Sequence, residues 1–207
     1  MASQKATSRE TLAASFEHQS MKQLIFLIIL SSQFCYSQTK FERNAKCTKT
    51  KNFTESQRLS NFPFSETSQI KLISFESKKL EITGEELSNH LNSIKLKIDL
   101  FDPTIYTEVA TLSSVQINKL TDIIYNYSYK KFPYSVGEAK CYEPRNAIIF
   151  LDKNNYIISF IEICFGCDRY RTSSQELNLG EECTEKFEMI KSIFKECKIE
   201  YGITRRD

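Results

Sequence analysis

Residues 147–151 and 156–165 are two β-rich runs separated by Asp152-Lys153-Asn154-Asn155, a composition that turns a chain back on itself. They read as a hairpin. The second run is apolar on both faces, with Ile157, Ile161, Ile163 and Phe165 on one and Ile158, Phe160 and Cys164 on the other. A strand of that kind needs cover on both sides, so it belongs at the centre of a sheet.

If Leu151 faces Tyr156, the register carried back along the hairpin sets Arg145 opposite Glu162 and Cys141 opposite residue 166. Arg145 and Glu162 are then expected to form a structural ion pair that satisfies the one charge in an otherwise apolar strand. Cys141 falls beside the Cys164-Phe165-Gly166-Cys167 corner.

Around this hairpin the remaining patterns give an α+β domain with an antiparallel sheet and two main helices. Ser113 and Gln116 form a capping-box signature, and Ile117, Leu120, Ile123, Ile124 and Tyr127 follow at helical spacing, which predicts a helix over about 114–128. Phe187, Ile190, Phe194 and Cys197 predict a second over about 184–197. Residues 70–75 read as a strand, Leu80-Glu81-Ile82 as a short one, and Tyr106 to Ala110 as another. Ile94-Lys95-Leu96-Lys97-Ile98-Asp99-Leu100 alternates over seven residues and reads as a strand with one dry face.

The N-terminal part is organised differently. Lys22 precedes an unbroken apolar run from Leu24 to Leu30, followed by small and polar residues up to Ser37, which is the pattern of a secretory signal peptide over 21–37. The run is shorter than the roughly 20 residues a membrane span requires, so no transmembrane anchor is expected after cleavage. Residues 1–20 read as an upstream extension without structure, 38–68 as an extended segment, and 69–207 as a single domain. A lipid anchor at Cys35 is the alternative, disfavoured by the bulky Phe34 before it.

Export sets the reading of the cysteines. Of seven, Cys35 lies in the signal segment, which leaves Cys47, Cys141, Cys164, Cys167, Cys183 and Cys197. An even set in an oxidising compartment is a disulfide framework, and all six are candidates. Two other readings compete. Cys164 and Cys167 form a C-x-x-C pair that a thiol oxidoreductase or redox sensor would use, but the polar stretch after Cys167 lacks the helix that activates such a thiol. Cys141, Cys164, Cys167 and Cys183 would supply four thiolates to a structural zinc ion, although only one C-x-x-C knuckle is present.

Other chemistry finds little support. Taking Lys5, Arg9 and Lys22, and Glu10 and Glu17, from the 28 basic and 26 acidic residues leaves the exported part almost neutral, which predicts no nucleic-acid partner. His90, in a polar Ser88-Asn89-His90 stretch read as surface, is its one histidine. No metalloprotease, nucleophile-elbow, phosphate-loop or calcium-loop motif occurs. The expectation leans away from an enzyme, assigns no catalytic residue and no cofactor, and takes a monomer that binds a protein or a small ligand.

Cys141-Tyr142-Glu143-Pro144-Arg145-Asn146-Ala147-Ile148, then Glu162-Ile163-Cys164-Phe165-Gly166-Cys167 and Arg171-Thr172-Ser173, resemble a family of short exported bacterial proteins of unknown function. Leu112 to Gln116 and Leu120 to Tyr127 resemble the helix that precedes the cysteine region in that family. The resemblance covers about residues 60–200 and implies a periplasmic or secreted protein of the bacterial envelope, with no activity to carry over.

Overall fold

The computed structural model describes residues 40–77, 83–131 and 141–203. The chain divides into a unit of residues 1–40 and a unit of residues 41–207, and the fold set out below is that of the second. The signal-segment residues 21–37 and the short strand expected at Leu80–Ile82 lie outside the described residues.

The hairpin forms the middle of a five-stranded antiparallel sheet. Its strands are β2 (Gln69–Ser74), β3 (Glu108–Thr111), β5 (Asn146–Leu151), β6 (Ile157–Cys164) and β7 (Arg169–Thr172), in spatial order β3-β2-β5-β6-β7. Two shorter strands, β1 (Cys47–Lys49) and β4 (Tyr127–Tyr129), pair separately. Every residue of β5 is buried, as a strand covered on both faces requires.

One face carries Ile70, Leu72, Ile148, Phe150, Ile161 and Ile163 against α4 (Ser114–Asn126) and α5 (Lys186–Glu196). Helix α4 begins at the expected capping box, in which the Ser113 hydroxyl accepts from the Gln116 N–H and the Gln116 side chain accepts from the Ser113 N–H. Mixed helix and antiparallel sheet is therefore the fold class, as the sequence patterns required.

The opposite face is covered by a helix that the alternation concealed. Residues 94–100 are not a strand: α3 (Glu86–Lys97) runs through their first half and ends at Ile98 in the left-handed region, φ 57°. Leu87, Leu91 and Ile94, spaced at helical intervals, pack on Ile73, Ala147, Ile149 and Phe160. Leu96, Ile98 and Leu100, which made the alternation look convincing, are 83%, 69% and 58% exposed. His90 on this helix is half-buried rather than on the surface, stacked on Phe75 with ring centroids 5.4 Å apart.

Residues 40–68 also hold more structure than an extended segment. Helix α1 (Lys40–Ala45), β1 and α2 (Glu55–Leu59) follow one another, with a second capping box at Thr54 and Gln57. Arg58 on α2 is buried, and its guanidinium donates to the Thr121 hydroxyl at 3.2 Å, to the Phe53 carbonyl and to Asn118. The body of the domain thus begins well before residue 69.

Cys47 is disulfide-bonded to Cys183, 136 positions away, with Cα atoms 4.9 Å apart. The bond joins β1 to the turn before α5. Beside it the Cys47 N–H donates to Glu185 Oε2 at 2.7 Å, and the Thr184 N–H donates to the Ala45 carbonyl at 2.9 Å.

Candidate functional site

Two places concentrate chemistry: the cysteine corner that the sequence singled out, and a cleft that it did not.

At the corner, the hairpin register differs from the simple extrapolation. Leu151 faces Ile157 rather than Tyr156, and a bulge between the Phe150 and Leu151 pairings adds one more residue of shift, so Ala147, not Arg145, faces Glu162. The same bulge moves Ile157 to the α3 side with Phe160. Arg145 pairs instead with Glu143. Glu162 meets its cation on the other side of β6, where Arg171 is its direct cross-strand neighbour and brings a guanidinium nitrogen to 3.8 Å.

Glu162 has no exposed surface. Its Oε1 accepts from the Tyr142 hydroxyl at 2.9 Å, and Oε2 has no hydrogen-bond partner among the described residues. Ser88, in the first turn of α3, lies near enough for its polar groups to favour the charge, though none reaches hydrogen-bond geometry at Oε2. Burial dominates and raises the carboxyl pKa above its ordinary value, against the opposing pull of Tyr142, Arg171 and Ser88. The Tyr142 ring closes over this group, with the Arg171 guanidinium 4.3 Å and that of Arg169 5.5 Å from its centroid.

Cys141, Cys164 and Cys167 meet at the same corner. The side chains of Cys141 and Cys164 both come within hydrogen-bond reach of the Cys167 sulfur, and the Cys167 N–H closes a turn onto the Cys164 carbonyl at 3.2 Å. The three form a gradient of access: Cys141 is exposed, Cys167 intermediate and Cys164 buried. Burial and the two neighbouring sulfurs push the Cys167 thiol pKa up, the reverse of an activated nucleophile. Cys167 leads through Asp168, at φ 50°, into strand β7 rather than into a helix.

The four-thiolate zinc set is broken, because Cys183 is committed to Cys47. Among the described residues, no group of three or more His, Cys, Asp or Glu side chains is arranged to hold a metal ion. Cys197 lies apart from the corner, with its sulfur accepting from the Gln116 amide at 3.1 Å.

The second place is an open cleft of about 430 Å³ between the 50–53 segment, the end of α4, β4 and the 178–181 turn. Phe53, Tyr125, Tyr127 and Tyr170 contribute aromatic surface to it. Lys51, Asn178 and Glu181 contribute polar groups. Its walls are tied together by buried polar contacts rather than by apolar packing alone. The Asn126 side chain accepts from the Phe53 N–H at 2.8 Å and donates to the Phe53 carbonyl at 3.0 Å.

Lys186, 1% exposed, donates from Nζ to the Tyr127 carbonyl at 2.8 Å and the Leu179 carbonyl at 2.9 Å, joining two walls. Burial lowers its pKa to about 8. Gly180, at φ 75°, brings its turn so near α4 that a β-carbon would lie 2.1 Å from the Ile124 carbonyl oxygen. Sequence reasoning missed this cleft because its residues come from four separate segments; the Thr54 and Gln57 capping box was the one local signal that the 50–59 region is ordered.

Comparison with protein-family models, curated proteins and solved structures returns no match. Among the described residues, no helix is long and apolar enough to cross a membrane.

Proposed function

We propose that this chain is an exported, disulfide-clamped binding module of the bacterial envelope, akin to the short exported proteins it resembles, with the aromatic cleft as its ligand site. The cleft carries the reading. Its volume falls in the range of small-molecule sites, and its aromatic faces sit beside a small number of polar groups, the combination that orients a ligand.

The charge at its rim is balanced, since Lys51 and Glu181 have opposite signs, so neither a strongly anionic nor a strongly cationic ligand is favoured. A neutral polyhydroxylated molecule fits best: tyrosine faces cover its C–H surfaces while Asn178, Lys51 and Glu181 meet its hydroxyls. The Cys47–Cys183 bond supports the export half of the reading, because such a bond persists in an oxidising compartment.

Ligand-observed NMR with a panel of neutral mono- and oligosaccharides tests the assignment. Binding is expected, weakened at least about tenfold by Tyr127→Ala through loss of the aromatic face. A panel without a binder, or binding indifferent to both Tyr127→Ala and Lys51→Ala, would reject it.

A further inference from the structure

We infer that the cysteine corner is a site of oxidative modification in which Cys141 and Cys167 join, and Cys164 remains the buried thiol. The inference stands on thiol geometry alone and does not depend on the ligand cleft.

The Cys167 sulfur lies within reach of both Cys141 and Cys164 and can join only one of them at a time, so the question is which pair forms. Access decides it. A disulfide oxidant in solution meets Cys141 first, because that side chain is exposed whereas Cys164 is buried. The Cys141 thiolate attacks one sulfur of the oxidant, and half of the oxidant leaves as a thiol. Cys167 lies within hydrogen-bond reach of Cys141, and at the high effective concentration of a neighbouring group even its small thiolate fraction attacks the Cys141 sulfur of the mixed disulfide, expelling the second half. Two protein thiols lose two protons and two electrons, and one oxidant disulfide becomes two thiols.

The product has a structural consequence. Cys141 precedes Tyr142, whose hydroxyl holds the buried Glu162 and whose ring lies under Arg171. A bond from Cys141 to the β6–β7 corner fixes that cover in place.

The test treats the reduced full chain with oxidised glutathione, blocks remaining thiols by alkylation, and maps the unreduced tryptic peptides by mass spectrometry. The expected product links peptide 141–145 to peptide 154–169. The link survives Cys164→Ala and is lost in Cys167→Ser, where Cys141 keeps a glutathione adduct. Cys141→Ser, at an exposed position that leaves the core untouched, slows oxidation of Cys167. A link that persists in Cys167→Ser, a Cys164–Cys167 bond that forms as fast without Cys141, or stoichiometric zinc that protects all three thiols from the oxidant would each overturn the inference.

Discussion

Gly84 and Tyr142 are pressed together: a β-carbon on Gly84 would lie 2.1 Å from the Tyr142 carbonyl oxygen. Gly84 also sits at φ 80°, in the left-handed region that other residues adopt at a cost. Through this contact the first turn of α3 is seated against the segment that covers Glu162. Gly84→Ala meets both the clash and the backbone penalty, and is expected to destabilise the domain by about 2 kcal/mol or more, read as a lower urea midpoint with an unchanged slope.

Glu162 gives the domain a pH dependence with a definite sign. Its folded-state pKa is raised, chiefly by burial, so the folded chain holds this proton more tightly than the unfolded chain does. The stabilising contribution is complete below the unfolded value, near 4.5, and is lost as the pH climbs through the folded value. Glu162→Gln removes that loss while keeping an acceptor for the Tyr142 hydroxyl. Urea unfolding between pH 4 and 8 should show the stability of the variant relative to the parent increasing with pH; a relative decrease would show that Glu162 is stabilised as a carboxylate.

Ile98 ends α3 at φ 57° with a β-branched side chain that is 69% exposed. The conformation costs about 1–2 kcal/mol for a residue of this kind, and little burial offsets it. Ile98→Gly is expected to stabilise the domain by about 1 kcal/mol, seen as a higher melting temperature. A fall in melting temperature would mean that the Ile98 side chain makes contacts worth more than the strain.

The same residue shows why α3 was hidden. Ile94, Leu96, Ile98 and Leu100 alternate with polar neighbours, and that period outweighed the helical spacing of Leu87, Leu91 and Ile94, which is diluted by Ser88, Asn89 and His90. Which apolar residues were to be buried is a tertiary matter: the outer face of the sheet needed cover, and the 87/91/94 stripe supplied it. Helix α4 was legible because its capping box and its buried stripe agree. The hairpin was legible in its existence but not in its register, since nothing marks Ile157 as the closing partner of Leu151 or Ile158 as the bulge's extra residue, and the two together replaced the Arg145 partnership with Arg171. The corner thiols were correctly drawn near one another because a shift of two residues leaves Cys141 at the same end of the hairpin. The cleft was invisible, as its walls meet only through long-range contacts such as Asn126 with Phe53 and Lys186 with Tyr127.

The Cys47–Cys183 bond closes a loop of most of the domain and ties β1, and with it the approach to the cleft, to the start of α5. Replacing both residues with serine should cost about 2–4 kcal/mol of stability in unfolding experiments under oxidising conditions. The double variant and the parent should converge when the parent is unfolded with a reductant present. Equal stability of the two proteins under oxidising conditions would mean that the bond constrains nothing that folding does not already fix.

Export followed by formation of that bond is the central requirement of the proposed function. Intact mass of the protein recovered from its native cell, taken with free thiols blocked and before reduction, measures both at once. The expected result is a chain that begins after Ser37, found outside the cytosol, with Cys47 and Cys183 inaccessible to the blocking reagent until reduction. A chain that keeps residues 21–37 and is recovered from the reducing cytosol with both cysteines blocked as free thiols would contradict it.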